Sequence, residues 1–181
     1  MRQLGLIFSL TALLAACGLA QLDQQPEIQT TSPSFVAAQR ELWIHQPLLA
    51  MPGHSSREAI ARLGMPLRQA SREIVNPSGF DARLDQWIEL EYPQLRLGYY
   101  RNGASGQETL AWIRLSGEDY ELRPGLQLGD DLERFEQVIG GLKIEGPNRY
   151  LACDGRGRGD CLRLRVEDDR VVQLEQEVML D

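Results

Sequence analysis

The chain has 181 residues, 43% hydrophobic and 25% charged, enough for one domain or two small ones with a buried core. Nineteen basic against 26 acidic residues give a formal net charge of −7, which excludes the long basic footprint that DNA or RNA binding needs. Only Lys143 is a lysine, so a mechanism built on a catalytic lysine is disfavoured as well.

Residues 1–16 carry one basic side chain, Arg2, followed by an apolar run broken only by small or hydroxylated residues. That is the arrangement of a secretory signal peptide, and it is shorter than the roughly 20 apolar residues a membrane-spanning helix requires. Its end, Leu14-Ala15-Ala16-Cys17, resembles the bacterial lipobox. The resemblance implies cleavage before Cys17, lipidation of that cysteine and acyl chains, palmitate among them, as the membrane anchor. Gly18 stands where lipoproteins retained in the inner membrane commonly carry Asp, so the resemblance favours the periplasmic face of the outer membrane. Residues 17–34 are rich in Gln, Pro, Ser and Thr and read as a flexible tether, reaching on the order of 20–25 Å.

From Pro52 to Pro66 the sequence carries helix start and stop signals. Ser55 with Glu58 fits a capping box, Ala59, Ile60 and Leu63 form an apolar stripe, and Gly64 with Pro66 ends the helix. The same logic returns with Asp130 and Glu133 at the cap, Leu132, Phe135, Val138 and Ile139 on one face, and Gly140 at the end. Gly53 and Gly129 stand 76 residues apart, as do Gly64 and Gly140, and Ile88 and Leu90 align at that offset with Leu164 and Val166. An internal duplication is expected.

After each helix the apolar period falls to two, the mark of half-buried strands. Ile88, Leu90 and Tyr92, then Leu95, Leu97 and Tyr99, then Ala111, Ile113 and Leu115 predict three antiparallel strands, with a short strand at 120–122. Leu162, Leu164 and Val166 alternate with arginines, Asp168-Asp169 turns the chain, and Val172, Leu174, Val178 and Leu180 continue. The expected fold is α+β: two helix-plus-antiparallel-sheet units, 35–122 and 123–181, with the helices packed on one face of the sheet.

With Cys17 lipidated, Cys153 and Cys161 remain as the available disulfide pair in an oxidising compartment. The bridge would close the loop Asp154-Gly155-Arg156-Gly157-Arg158-Gly159-Asp160 at a hairpin mouth. A zinc site is disfavoured, because two cysteines and the distant His45 and His54 lack CxxC-like spacing, and no cofactor motif is present.

Pro52-Gly53-x-Ser55 followed by Leu63-Gly64-x-Pro66 resembles the helix motif of the SmpA/OmlA-type lipoproteins of the outer-membrane β-barrel assembly machine, a family related in shape to the β-lactamase-inhibitor-protein fold. A second copy at 129–140 brings the chain nearer to the tandem inhibitor-like architecture. His54 stands where that family often has Met, Gly140 lacks the closing proline, and the Cys153 to Cys161 loop is extra.

Catalytic constellations are weak. Ser55 beside His54 lacks a nucleophile elbow and serves as a helix cap, while Glu89 and Glu91 alternate on a solvent face. Binding is better supported. Arg156 and Arg158 sit on the bridged loop, and Trp87 and Trp112 stand in antiphase to the core residues of their strands, on the opposite sheet face unless a helix or the segment around Trp43 covers it. The sequence therefore predicts a non-enzymatic lipoprotein that binds an envelope protein, an assembly component or a hydrolase. The alternative is an inhibitor or immunity protein that blocks a cell-envelope enzyme with the Cys153 to Cys161 loop.

Overall fold

Alternation of apolar and polar side chains builds most of the molecule. The computed structural model describes residues 33–75, 84–123, 125–154 and 159–178. The leader, Cys17 and nearly all of the tether thus lie outside the described residues. In chain order the elements are α1 (Pro33–His45), α2 (Ser56–Leu63), β1 (Arg68–Ile74), β2 (Asp85–Tyr92), β3 (Leu95–Arg101), β4 (Glu108–Leu115), α3 (Leu132–Ile139), β5 (Lys143–Gly146), β6 (Arg149–Cys153), β7 (Cys161–Glu167) and β8 (Arg170–Glu177).

All eight strands join one antiparallel sheet in the order β1-β2-β3-β4-β8-β7-β6-β5. This corrects the expected fold class. The chain is not two helix-plus-sheet units with helices laid on them, but a single sheet accompanied, among the described residues, by three short helices of 13, 8 and 8 residues. The physical reason is a seam. β4 and β8 pair from Trp112↔Glu177 to Leu115↔Leu174, so strands that would edge two separate sheets satisfy each other's backbone groups in the middle of one.

Strand alternation sends Ile88, Leu90, Leu97, Ile113, Leu115, Leu162, Leu164 and Leu174 to one face, where all are buried. The same cluster holds Trp43 and Ile44 of α1, Ala59 of α2, and Phe135 and Ile139 of α3. Each such large side chain contributes roughly 1.5–3 kcal/mol when fully buried. Trp43 therefore belongs to the core and does not cover the face opposite it. Residues 120–122 make only an isolated bridge, Leu122↔Leu48, in place of the expected strand.

The two helices keep the 76-residue offset of the expected duplication, and the proposed strand match does not. Ser55 Oγ accepts from the Glu58 amide at 3.2 Å, and Glu58 Oε2 reaches back to the His54 amide, one residue before the expected partner. In the second copy the cap is Asp131, not Asp130, whose carboxylate instead accepts from the Gln127 amide at 2.9 Å. Ser55 and Asp131 restore the offset of the glycines, and Gly53 with Gly129 (φ 112° and 94°) and Gly64 with Gly140 (φ 85° and 71°) share left-handed backbone. Ile88 and Leu90, however, lie in β2, while Leu164 and Val166 lie in β7. The strand that mirrors β2 across the seam is β6.

Candidate functional site

The sheet face opposite the core is built on a glycine. Gly98 in β3 pairs with Trp112 in β4. A Cβ on Gly98 would lie 2.1 Å from Trp112 Nε1, so the missing side chain is the space in which the indole rests. The Arg114 guanidinium stands 5.7 Å from the Trp112 ring centroid, within cation–π range. The same arginine donates Nε and Nη2 to Glu175 at 3.2 and 2.9 Å, a bidentate pair that pushes its pKa up and holds the side chain in place. Nearby, Arg163 donates to Glu145 at 3.0 Å and also to Glu177, whose hydrogen bond pushes the Arg163 guanidinium up.

Trp87 and Trp112 line one shallow depression of about 560 Å³, shared with Arg72, Arg96, Arg114 and Glu177. The two tryptophans singled out in the sequence are thus brought together, and the depression is lined by strand residues and Val178, with no helix residue among them. Such a surface offers two flat apolar anchors inside a rim of arginines and carboxylates.

Ser55 and its neighbours serve architecture. Ser55 caps α2, and the Ser56 amide donates to Glu108 Oε2 at 2.6 Å. Burial acts to raise the Glu108 pKa, but hydrogen bonds from Arg101 and Ser56 outweigh it and hold the carboxyl below the usual glutamate range. Glu89 faces Arg96 at 3.9 Å on the open face of the sheet.

A second constellation lies at the mouth of the β6–β7 hairpin. Cys153 and Cys161 pair across these strands and form the expected disulfide, with Cα atoms 4.1 Å apart. Just beyond the bridge, the Asp154 amide donates to the Asp160 carbonyl at 3.0 Å. Both acids are buried, and His45, the last residue of α1, approaches them: Nδ1 is 3.0 Å from Asp160 Oδ2 and Nε2 is 3.9 Å from Asp154 Oδ2. Sequence reasoning missed this grouping because it sought thiolate spacing, whereas the structure brings one imidazole to two carboxylates that lie more than a hundred residues further along the chain. Arg156 and Arg158 lie outside the described residues, as does Cys17.

In comparison with known proteins, the chain matches no family model, no curated protein and no solved structure.

Proposed function

We propose that this chain is a non-enzymatic lipoprotein, anchored through Cys17 to the periplasmic face of the outer membrane, whose sheet binds another envelope protein in envelope assembly or maintenance. The observation that carries the reading is the depression that Trp87 and Trp112 share on the face opposite the core. Tryptophan and arginine dominate the energetics of protein interfaces, and both are held here in fixed positions before any partner arrives. Gly98 seats one indole and Glu175 fixes the arginine beside it. Anchoring by lipid agrees with the lipobox-like Leu14-Ala15-Ala16-Cys17. Among the described residues no helix is long and apolar enough to cross a membrane. Likeness to the SmpA/OmlA helix motif makes an assembly component the first partner to seek.

A photo-crosslinking side chain placed at Glu89 on the open face should give one discrete adduct in native envelopes, and the same group at Gln137 on α3 should give none. Adding Trp87→Ala and Trp112→Ala should abolish the Glu89 adduct. Equal labelling from both positions, or an adduct indifferent to the tryptophans, would overturn the proposal.

The formed disulfide favours a second reading, in which the bridged loop presents Arg156 and Arg158 to the active site of an envelope enzyme. In that case Arg156→Ala with Arg158→Ala removes binding, and the tryptophan substitutions leave it intact.

A further inference from the structure

We propose that His45, Asp154 and Asp160 form a binding site for a divalent first-row transition cation, with Zn²⁺ the representative ion. The site is independent of the sheet face that carries the tryptophans.

The donor set comes first. One imidazole nitrogen and two carboxylate oxygens lie within 4.8 Å of one another. Zinc bound to such donors at about 2.0–2.2 Å holds them roughly 3.4 Å apart in tetrahedral geometry. One ion takes one imidazole nitrogen: Nδ1 stands 3.0 Å from Asp160 Oδ2, and the three donor atoms lie no more than 4.8 Å apart, so side-chain rotation closes the set on an ion. Imidazole with carboxylate suits a borderline cation, whereas Ca²⁺ takes six to eight oxygens and rarely an imidazole.

The second observation is independent of this spacing. The Asp154 side chain is 0% exposed, and neither of its carboxylate oxygens has a hydrogen-bond partner among the described residues. His45 Nε2, 3.9 Å from Asp154 Oδ2, is too distant for a hydrogen bond. A carboxylate buried without donors is strongly unfavourable, and a cation between it and its two neighbours supplies the missing charge.

The scaffold holds the three ligands from separate directions. The disulfide fixes Cys153 and Cys161, each covalently adjacent to one of the acids. The Arg40 guanidinium donates to the Cys153 carbonyl at 3.0 Å, and Gln176 Nε2 donates to the His45 carbonyl at 2.8 Å, which ties the end of α1 to β8. His45 also stands at a helix C-terminus, where the backbone dipole favours positive charge. Its side chain is 35% exposed and borders a depression of about 320 Å³, leaving a path for the ion and room for water as a fourth ligand.

The test uses the full chain, disulfide intact and stripped of metal, titrated with ZnCl₂ alone by calorimetry and by thermal melting. One Zn²⁺ should bind per chain and raise the melting temperature on the order of 5–10 °C at a hundredfold excess over Kd. Asp154→Asn and His45→Ala should each abolish that rise. Without metal, Asp154→Asn should melt at or above the parent, because it removes an unpaired buried charge. The proposal is overturned if zinc leaves the parent unchanged, if both variants respond as the parent does, if Ca²⁺ stabilises where Zn²⁺ does not, or if metal-free Asp154→Asn is less stable than the parent.

Discussion

α2 and α3 both begin from a cap residue in extended backbone, two residues after a glycine of positive φ, yet they are held by different chemistry. α2 packs little bulk: Ala59 is its buried apolar residue, and Ile60 and Leu63 are only partly covered. Its start is fastened by side chains, Ser55 to the Glu58 amide and Glu108 of β4 to the Ser56 amide. Asp131 makes no side-chain cap bond at the start of α3. There the backbone does the fastening, with the Leu132 amide donating to the Asp169 carbonyl at 2.9 Å and the Gly129 amide to the Val171 carbonyl at 2.8 Å. Phe135 and Ile139, both at 0% exposure, then carry the packing. The difference shows that a helix start needs its orphan amides satisfied, while the source of the acceptor is interchangeable. A helix with little to bury relies more on polar clamps.

That contrast can be broken most forcefully at Phe135. Phe135→Ala should cost about 3–5 kcal/mol, read as a lowered urea midpoint, because it empties the packing on which α3 depends. Replacing Cys153 and Cys161 together by Ser should cost about 2–3 kcal/mol in the same assay, the expectation for a short closed loop, with no change at α2. Glu108→Gln should cost about 1–3 kcal/mol at neutral pH by weakening charge-assisted bonds to Arg101 and the Ser56 amide. The folded pKa of Glu108 is depressed, so its contribution is complete above the ordinary glutamate range and is lost as pH falls through the depressed value. Acid melts should therefore converge for the parent and Glu108→Gln; a constant gap down to the lowest pH would refute the assigned cause. The finest comparison is at the caps themselves. Ser55→Ala should cost about 1 kcal/mol, whereas Asp131→Ala should stay within about 0.5 kcal/mol. Equal losses would mean that the two helix starts are not held differently.

Both short helices could be read from sequence because caps, stripes and glycine stops are local. Asp131 was misplaced by one residue, since Asp130 is equally suited to cap and only the backbone tells them apart. β1, Arg-Gln-Ala-Ser-Arg-Glu-Ile, went unread because both faces of this edge strand are largely exposed and no apolar period marks it. The seam between β4 and β8 has no local signature, because it pairs residues about sixty positions apart, and local patterns alone therefore suggest two units. Trp87 and Trp112 were legible as an antiphase pair. The gathering of His45 with Asp154 and Asp160 was not, because it depends on where α1 ends relative to a hairpin far along the chain.

The seam also bears on how quickly the molecule can assemble. Within each half, strands pair with their sequence neighbours, contacts that form through small loops. β4 and β8 meet instead through residues 112–115 and 174–177, so their loop can close only after much of the intervening chain has been drawn in. Long-range pairing of this kind raises contact order and slows folding relative to hairpin formation. Four residue pairs at the centre of the sheet thereby join two ribbons of sequence-local pairings into one sheet, and theirs is the pairing that chain connectivity makes slowest to form.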